Sequence, residues 1–246
     1  EHGIDWLAHA QPEEDPSAGA SSRRRRVPAG FHVRRLMPAD ALRIRGTHNH
    51  LNALAALALC DAIGVPMAKM LHGLRSYAGE PHRCQLVATL DGVEYYDDSK
   101  GTNVGATVAA LRGLGKRCRL IAGGDGKGQD FSALVEPVRA HAASAYLIGV
   151  DAPRLQQALA ASGVPIVRCD SLEEAVRRAR DGAREGEAVL LSPACASLDM
   201  FRNYEHRGRC FVQAVRALDP SEAAAGETTG GAAGEAAHDR AGESPC

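Results

Sequence analysis

The 246 residues are 45% hydrophobic and 24% charged, a balance that supports one large globular domain or two small ones and excludes collagen-like and wholly disordered chains. Lys and Arg number 29 against 30 Asp and Glu, for a formal charge of -1, so no field of one sign is present to hold nucleic acid or an anionic membrane. No run approaches the roughly 18 to 20 apolar residues of a membrane-spanning helix, and the first residues lack the succession of a secretory signal. A cytoplasmic protein, with no nucleic-acid and no membrane partner, is the expectation.

In chain order, Trp6-Leu7-Ala8 and Phe31-His32-Val33 with Leu42-Arg43-Ile44 suggest short strands. They surround residues 12–30, where Pro, Ser, Gly and Ala accompany Arg23-Arg24-Arg25-Arg26; too little can be buried there to offset ordering entropy, and a disordered loop is expected. Asn49 to Ile63 is almost entirely helix former, and Pro66 to Tyr77 reads as a second helix after the Gly64-Val65-Pro66 break. From Gln85 onward short apolar runs alternate with helix-period segments. Strands are predicted at 85–90, 93–96, 120–122, 145–150, 165–168 and 188–191, and helices at 104–114, 131–142, 153–161, 172–183 and 208–218. This order implies an α/β fold, a Rossmann-like, mainly parallel sheet with helices on both faces. The last 27 residues, Pro220 to Cys246, hold no Val, Ile, Leu, Met or aromatic residue and read as a disordered tail.

Seven cysteines stand apart with no Cys-x-x-Cys, which offers neither a disulfide framework nor a structural zinc site. His48 and His50, two residues apart, point to different sides of a helix and do not make a zinc pair.

Parallel sheets bind ligands at the carboxyl ends of their strands, and three polar clusters directly follow predicted strands. They are Asp97 to Asn103, Gly123 to Lys127 and Ser192 to Ser197, and they should meet at one rim. Of only four lysines in the chain, Lys100 and Lys127 lie in these clusters. Two ammonium groups, with Thr102 and Ser197 as hydroxyl donors and Ser197 opening a helix, suit a small anion such as a phosphate or a carboxylate. The plainer alternatives are a turn followed by a helix capped by Thr102 or Asn103, and a tight glycine turn at Gly123-Gly124. The chain contains no Gly-x-x-x-x-Gly-Lys-[Ser/Thr], Gly-x-Gly-x-x-Gly or Gly-x-Ser-x-Gly, so phosphate-loop, dinucleotide and nucleophile-elbow signatures are all missing.

Five motifs, Gly46-Thr47-His48-Asn49-His50-Leu51-Asn52-Ala53, Pro81-His82-Arg83, Asp98-Ser99-Lys100-Gly101-Thr102-Asn103, Gly123-Gly124-Asp125-Gly126-Lys127 and Ser192-Pro193-Ala194-Cys195-Ala196-Ser197-Leu198-Asp199-Met200-Phe201, occur in this order. Together they resemble the Mur ligases, and among these the branch that adds D-glutamate. The likeness covers Gly46 to Leu218 firmly and the first 45 residues weakly. It implies three divisions: residues 1–79 as the C-terminal part of a central ATPase domain, 80–219 as the Mur ligase C-terminal domain, and 220–246 as the tail. The family's first domain, its phosphate loop, its magnesium ligands and its carbamylated lysine have no counterpart, so the chain reads as a C-terminal fragment with no metal ligand of its own.

The resemblance further implies an ATP-dependent amide ligase of peptidoglycan synthesis that joins D-glutamate to UDP-N-acetylmuramoyl-L-alanine through an acyl phosphate, with ATP and Mg2+ as cofactors and the monomer as the working state. By the same resemblance Asn52 contacts the adenine, Arg83 a phosphate or the ribose region, and Asp98 the ribose hydroxyls. Lys100 faces the reacting phosphates as the catalytic group. Thr102 and Lys127 hold carboxylates of D-glutamate, helped by Ser197 and by backbone N–H groups near Leu198 and Tyr204, the last standing where Phe is expected. His82, Asn103 and Asp125 read as structural. Two competing readings are a free-standing Rossmann-like module that binds a small anion or nucleotide without catalysis, and a truncated product without activity. Alone, the chain is expected to form no ligase product.

Overall fold

The computed structural model describes residues 4–13 and 30–219. The predicted tail and most of the predicted loop lie outside these residues. Pro12, Glu13 and Gly30 do not, and they are ordered: Pro12 ends a strand, and Glu13 N donates to Gly30 O at 3.0 Å. The chain divides into two compact units, one reaching to Gly79 and one starting at Glu80.

In the first unit β1 (Trp6–Pro12) and β2 (Phe31–Pro38) form an antiparallel pair from Trp6↔Pro38 to Pro12↔Phe31, with a bulge between Leu7 and Ala8. Leu42-Arg43-Ile44 is not a strand. It follows a short 3-10 turn at Ala39–Ala41, and Leu42 serves instead as a core side chain beside Leu7, Met37, Ala53, Leu57 and Met70. Three alternating residues with no neighbour to pair with cannot make a ladder, whereas one buried leucine gains about 1.5 to 3 kcal/mol by leaving water. The two predicted helices are present as α1 (Thr47–Ala62) and α2 (Met67–Ser76), separated where Gly64 takes a left-handed φ of 79° and Pro66 caps the next helix.

The second unit is built on a six-stranded sheet. Its strands are β3 (Gln85–Leu90), β4 (Val93–Asp97), β5 (Cys118–Gly123), β6 (Ala142–Ile148), β7 (Ile166–Arg168) and β8 (Ala188–Leu191). The spatial order is β3-β4-β8-β5-β6-β7, with β3 antiparallel to β4 and every other pair parallel. Helices α3 (Val104–Gly113), α4 (Val135–His141), α5 (Ala152–Leu159), α6 (Leu172–Gly182) and α7 (Tyr204–Arg216) complete it. Successive strand residues point to opposite faces, and the core splits accordingly. Leu120 and Ala122 pack with Leu111, Leu134 and Leu155 of the α3–α4–α5 side, whereas Ile121 packs with Val176 and Phe211 of the α6–α7 side. This is the expected α/β architecture, with helices on both faces of a mainly parallel sheet.

Helix α7 starts at Tyr204 rather than at Gly208, because the Asn203 side chain accepts a hydrogen bond from His206 N at 2.7 Å and caps the first turn. Ser197 does not open a helix. It lies at a single turn in which Phe201 N donates to Ser197 O at 2.7 Å.

Candidate functional site

Strands β4, β8 and β5 are neighbours and parallel, so their carboxyl ends open on the same rim and the three polar clusters meet there. Backbone hydrogen bonds lock them together. Ala194 N donates to Gly101 O at 2.9 Å, Gly123 N to Pro193 O at 2.8 Å, and Asp125 and Ala196 exchange bonds of 3.0 and 2.8 Å. From the turn after β6, Val150 N donates to the Asp199 carboxylate at 2.9 Å. Gly123 and Gly124 have φ values of 125° and 124°, and a Cβ on either would sit 1.9 Å from Ile148 O or 2.1 Å from Ala196 O. The close approach of the loops therefore depends on glycine at both positions.

The centre of the rim is a buried guanidinium. Arg207, on the first turns of α7, is 0% exposed. Its Nε donates to Ser99 Oγ at 3.0 Å, Nη2 to Ser99 O and Cys195 O at 2.9 and 3.1 Å, and Nη1 to Gly123 O and Ala196 O at 3.4 Å each. One side chain thus ties all three loops. Burial lowers its pKa to about 10, so it stays charged at neutral pH. A buried charge is tolerable when its N–H groups find oxygens, and here each donor nitrogen does.

Two carboxylates support the first loop. Asp97, fully buried, accepts from Ser99 N at 2.9 Å and pairs with His82 Nδ1 at 2.7 Å. Asp98 is 9% exposed; Cys84 N donates to its Oδ1 at 3.1 Å and Ser192 Oγ to its Oδ2 at 2.7 Å. Burial pushes the Asp98 carboxyl up to about 6, against the opposing pull of the Ser192 and Cys84 hydrogen bonds.

The remaining expected residues fall as follows. Lys100 Nζ lies 3.7 Å from the centroid of the Tyr204 ring, a cation–π contact that Phe in that place would supply equally. Asn103, and not Thr102, caps α3 through a 2.9 Å bond from Ala106 N, which leaves the half-buried Thr102 hydroxyl outside the cap. Lys127 is exposed and adopts φ 50°, with its N–H donating to Asp125 Oδ1 at 2.8 Å. Ser197 is 3% exposed and Leu198 66%, so Leu198, rather than Ser197, is the open residue of that loop. Arg83 is exposed, on a turn where Arg83 N donates to Glu80 O at 3.3 Å.

Asn52 belongs to the first unit. It is exposed on α1 and lines an apolar cleft of about 460 Å³ with Ile44, Leu57, Met70, Leu74 and Tyr77. Among the described residues no cluster of three or more His, Cys, Asp or Glu is arranged to hold a metal ion, and no described helix is long and apolar enough to cross a membrane. Sequence reasoning missed two residues of the rim, Arg207 and Gln129. The signal for Arg207 is its spacing with Cys210, Phe211 and Val215, which puts a charge on the buried stripe of α7.

Residues 82–195 match the family described as Mur ligase, glutamate ligase domain. The UDP-N-acetylmuramoylalanine--D-glutamate ligase of Ralstonia nicotianae is 59% identical over 221 residues, covering 88% of this chain and 44% of the relative. The enzyme of that name from Burkholderia mallei is 60% identical over 220 residues, 87% of this chain and 44% of the relative. The chain thus spans less than half the length of these curated relatives. Among solved structures, the UDP-N-acetylmuramate-alanine ligase of Thermotoga maritima superposes with a TM-score of 0.55 at 19% identity, over 72% of this chain and 40% of that one. Folylpolyglutamate synthase of Mycobacterium tuberculosis, complexed with ADP, gives 0.52 at 16% identity, over 63% and 39%. At such identities the two structures speak for the fold alone, and the fold agrees with the sequence relatives: the chain belongs to the Mur ligase family.

Proposed function

We propose that this chain is the part of an ATP-dependent UDP-N-acetylmuramoyl-L-alanine:D-glutamate ligase that receives D-glutamate and shares in holding the nucleotide. The observation that carries the reading is the convergence of the Lys100–Thr102, Lys127 and Ser197–Leu198 loops on one rim. In that reaction ATP supplies a phosphoryl group to the substrate carboxylate, the amine of D-glutamate attacks the acyl phosphate, and phosphate leaves. Negative charge grows on oxygen in both steps, and fixed cations and N–H dipoles stabilise it most where water is excluded.

On this reading Lys127 and Thr102 fix the carboxylates of D-glutamate, with Ser197 and the N–H groups near Leu198 and Tyr204 assisting. Lys100, free to leave the Tyr204 ring, faces the reacting phosphates. Arg83 takes a phosphate or the ribose region, and Asp98 the ribose hydroxyls through lone pairs not used by Ser192 and Cys84. Asn52 offers an amide edge beside the apolar wall of its cleft, a combination that suits adenine. Among the described residues no cluster of three or more His, Cys, Asp or Glu is arranged to hold magnesium. The reading includes the wider roles as well: a monomer in the cytoplasm, feeding peptidoglycan synthesis and through it cell shape and division.

A φ of 50° at Lys127 supports its part in this. The left-handed region costs a non-glycine residue roughly 1 to 2 kcal/mol, and the lysine side chain, unlike that of Asn or Asp, has no short polar group to bond the local backbone in return, which fits a role for the ammonium beyond the turn. In the full-length ligase, Lys127→Ala is expected to raise KM for D-glutamate by the equivalent of roughly 1.5 to 3 kcal/mol, as for a charge-assisted hydrogen bond, with KM for ATP unchanged. An unaltered KM for D-glutamate would remove Lys127 from the site.

A further inference from the structure

One side chain bonds both neighbouring loops from the loop that carries Lys127. Gln129 Oε1 accepts from Val104 N at 3.2 Å, and Gln129 Nε2 donates to Ala194 O at 2.7 Å. Both partners need it. Val104 N is one of the N–H groups that the start of a helix leaves without an intrahelical acceptor, and the Asn103 cap is occupied with Ala106 N. Ala194 is fully buried with φ 58°, and a buried carbonyl without a donor costs about 1 to 3 kcal/mol.

Position gives these bonds their meaning. Val104 lies two residues after Thr102, Gln129 two after Lys127, and Ala194 three before Ser197. We infer that Gln129 is a positioning residue for the acidic amino acid: its amide sets the spacing between the three groups that hold the two carboxylates. The inference rests on the D-glutamate reading above. The bridge requires a group that accepts at one end and donates at the other, as a neutral amide does and a carboxylate does not. The backbone of the same loop is held by other groups, Asp151 accepting from Gly126 N at 2.7 Å and Arg154 Nη2 donating to Gln129 O at 3.3 Å, so loosening the loop backbone and breaking the side-chain bridge are separable perturbations.

The test is calorimetric titration of this chain and its variants with D-glutamate. Gln129→Met, close in volume and unable to bond either partner, should weaken binding at least fivefold. Gln129→Glu, which keeps the acceptor but loses the donor and adds a negative charge, should weaken it further. Arg154→Ala, which removes a bond to the Gln129 backbone and leaves the side-chain bridge in place, should stay within twofold of the unsubstituted chain. If Gln129→Met does not fold, Gln129→Asn, which is too short to span both partners, carries the same expectation. Equal affinity of the folded Gln129 variants and the unsubstituted chain would overturn the positioning role and leave the D-glutamate reading standing, as would an equal loss in Arg154→Ala. Absence of D-glutamate binding by the unsubstituted chain would overturn both.

Discussion

Asp98 carries a pH dependence that its burial sets. Its carboxyl is raised from 3.8 to about 6, chiefly by burial. The folded state therefore holds the proton more tightly than the unfolded chain, and stability from this group is complete below about 4 and lost as the pH rises through 6. Asp98→Asn keeps a polar group between Ser192 and Cys84 without a buried charge. It should match the parent at pH 4 and exceed it by pH 8, by on the order of 3 kcal/mol at most, as read from denaturant unfolding across the pH range. A difference that does not change with pH would show that Asp98 ionises freely in the fold. Arg207 is the contrasting residue: its charge persists, because its N–H groups reach oxygens of three loops.

For the elements, alternation and capping made most of the sheet legible. The β3 and β8 limits coincide with the apolar runs, and the other strands differ by a few residues at their ends. Leu42–Ile44 was misread because apolar–polar–apolar spacing describes a strand only where a partner exists. The start of α7 was misread because the charged run Arg202–Glu205–His206 hides the apolar period, although the Asn203 cap was there to be read. The Gly123-Gly124 turn was legible as a turn, but the reason for two glycines was not: it is contact with Ile148 and Ala196, distant in sequence. Gly124→Ala should thus cost roughly 2 to 4 kcal/mol through backbone overlap and φ strain. Gly128→Ala, also at positive φ but with nothing within 4 Å of the added carbon, should cost only about 1 to 2 kcal/mol. Equal losses in thermal unfolding would mean that the close approach of these loops is not what the glycines serve.

At the level of the whole molecule, the sequence placed three clusters on one rim through a single topological rule, that strands of a parallel sheet end on the same side. The rule could not supply the ties between the loops. Gln129 reaches its partners across 25 and 65 positions and Arg207 across 11 to 108, and although helical spacing marks Arg207 as buried, no local pattern names the partners of either. Nor could it foresee that Ser197 would be enclosed while the neighbouring Leu198 stays open. What the rim binds is the central claim, and following backbone amides of this chain by NMR during D-glutamate titration tests it most directly. The largest shifts are predicted at Thr102, Lys127 and Leu198, stronger with D-glutamate than with L-glutamate and abolished by Lys127→Ala. Shifts centred away from these three loops, or equal responses to the two enantiomers, would contradict it.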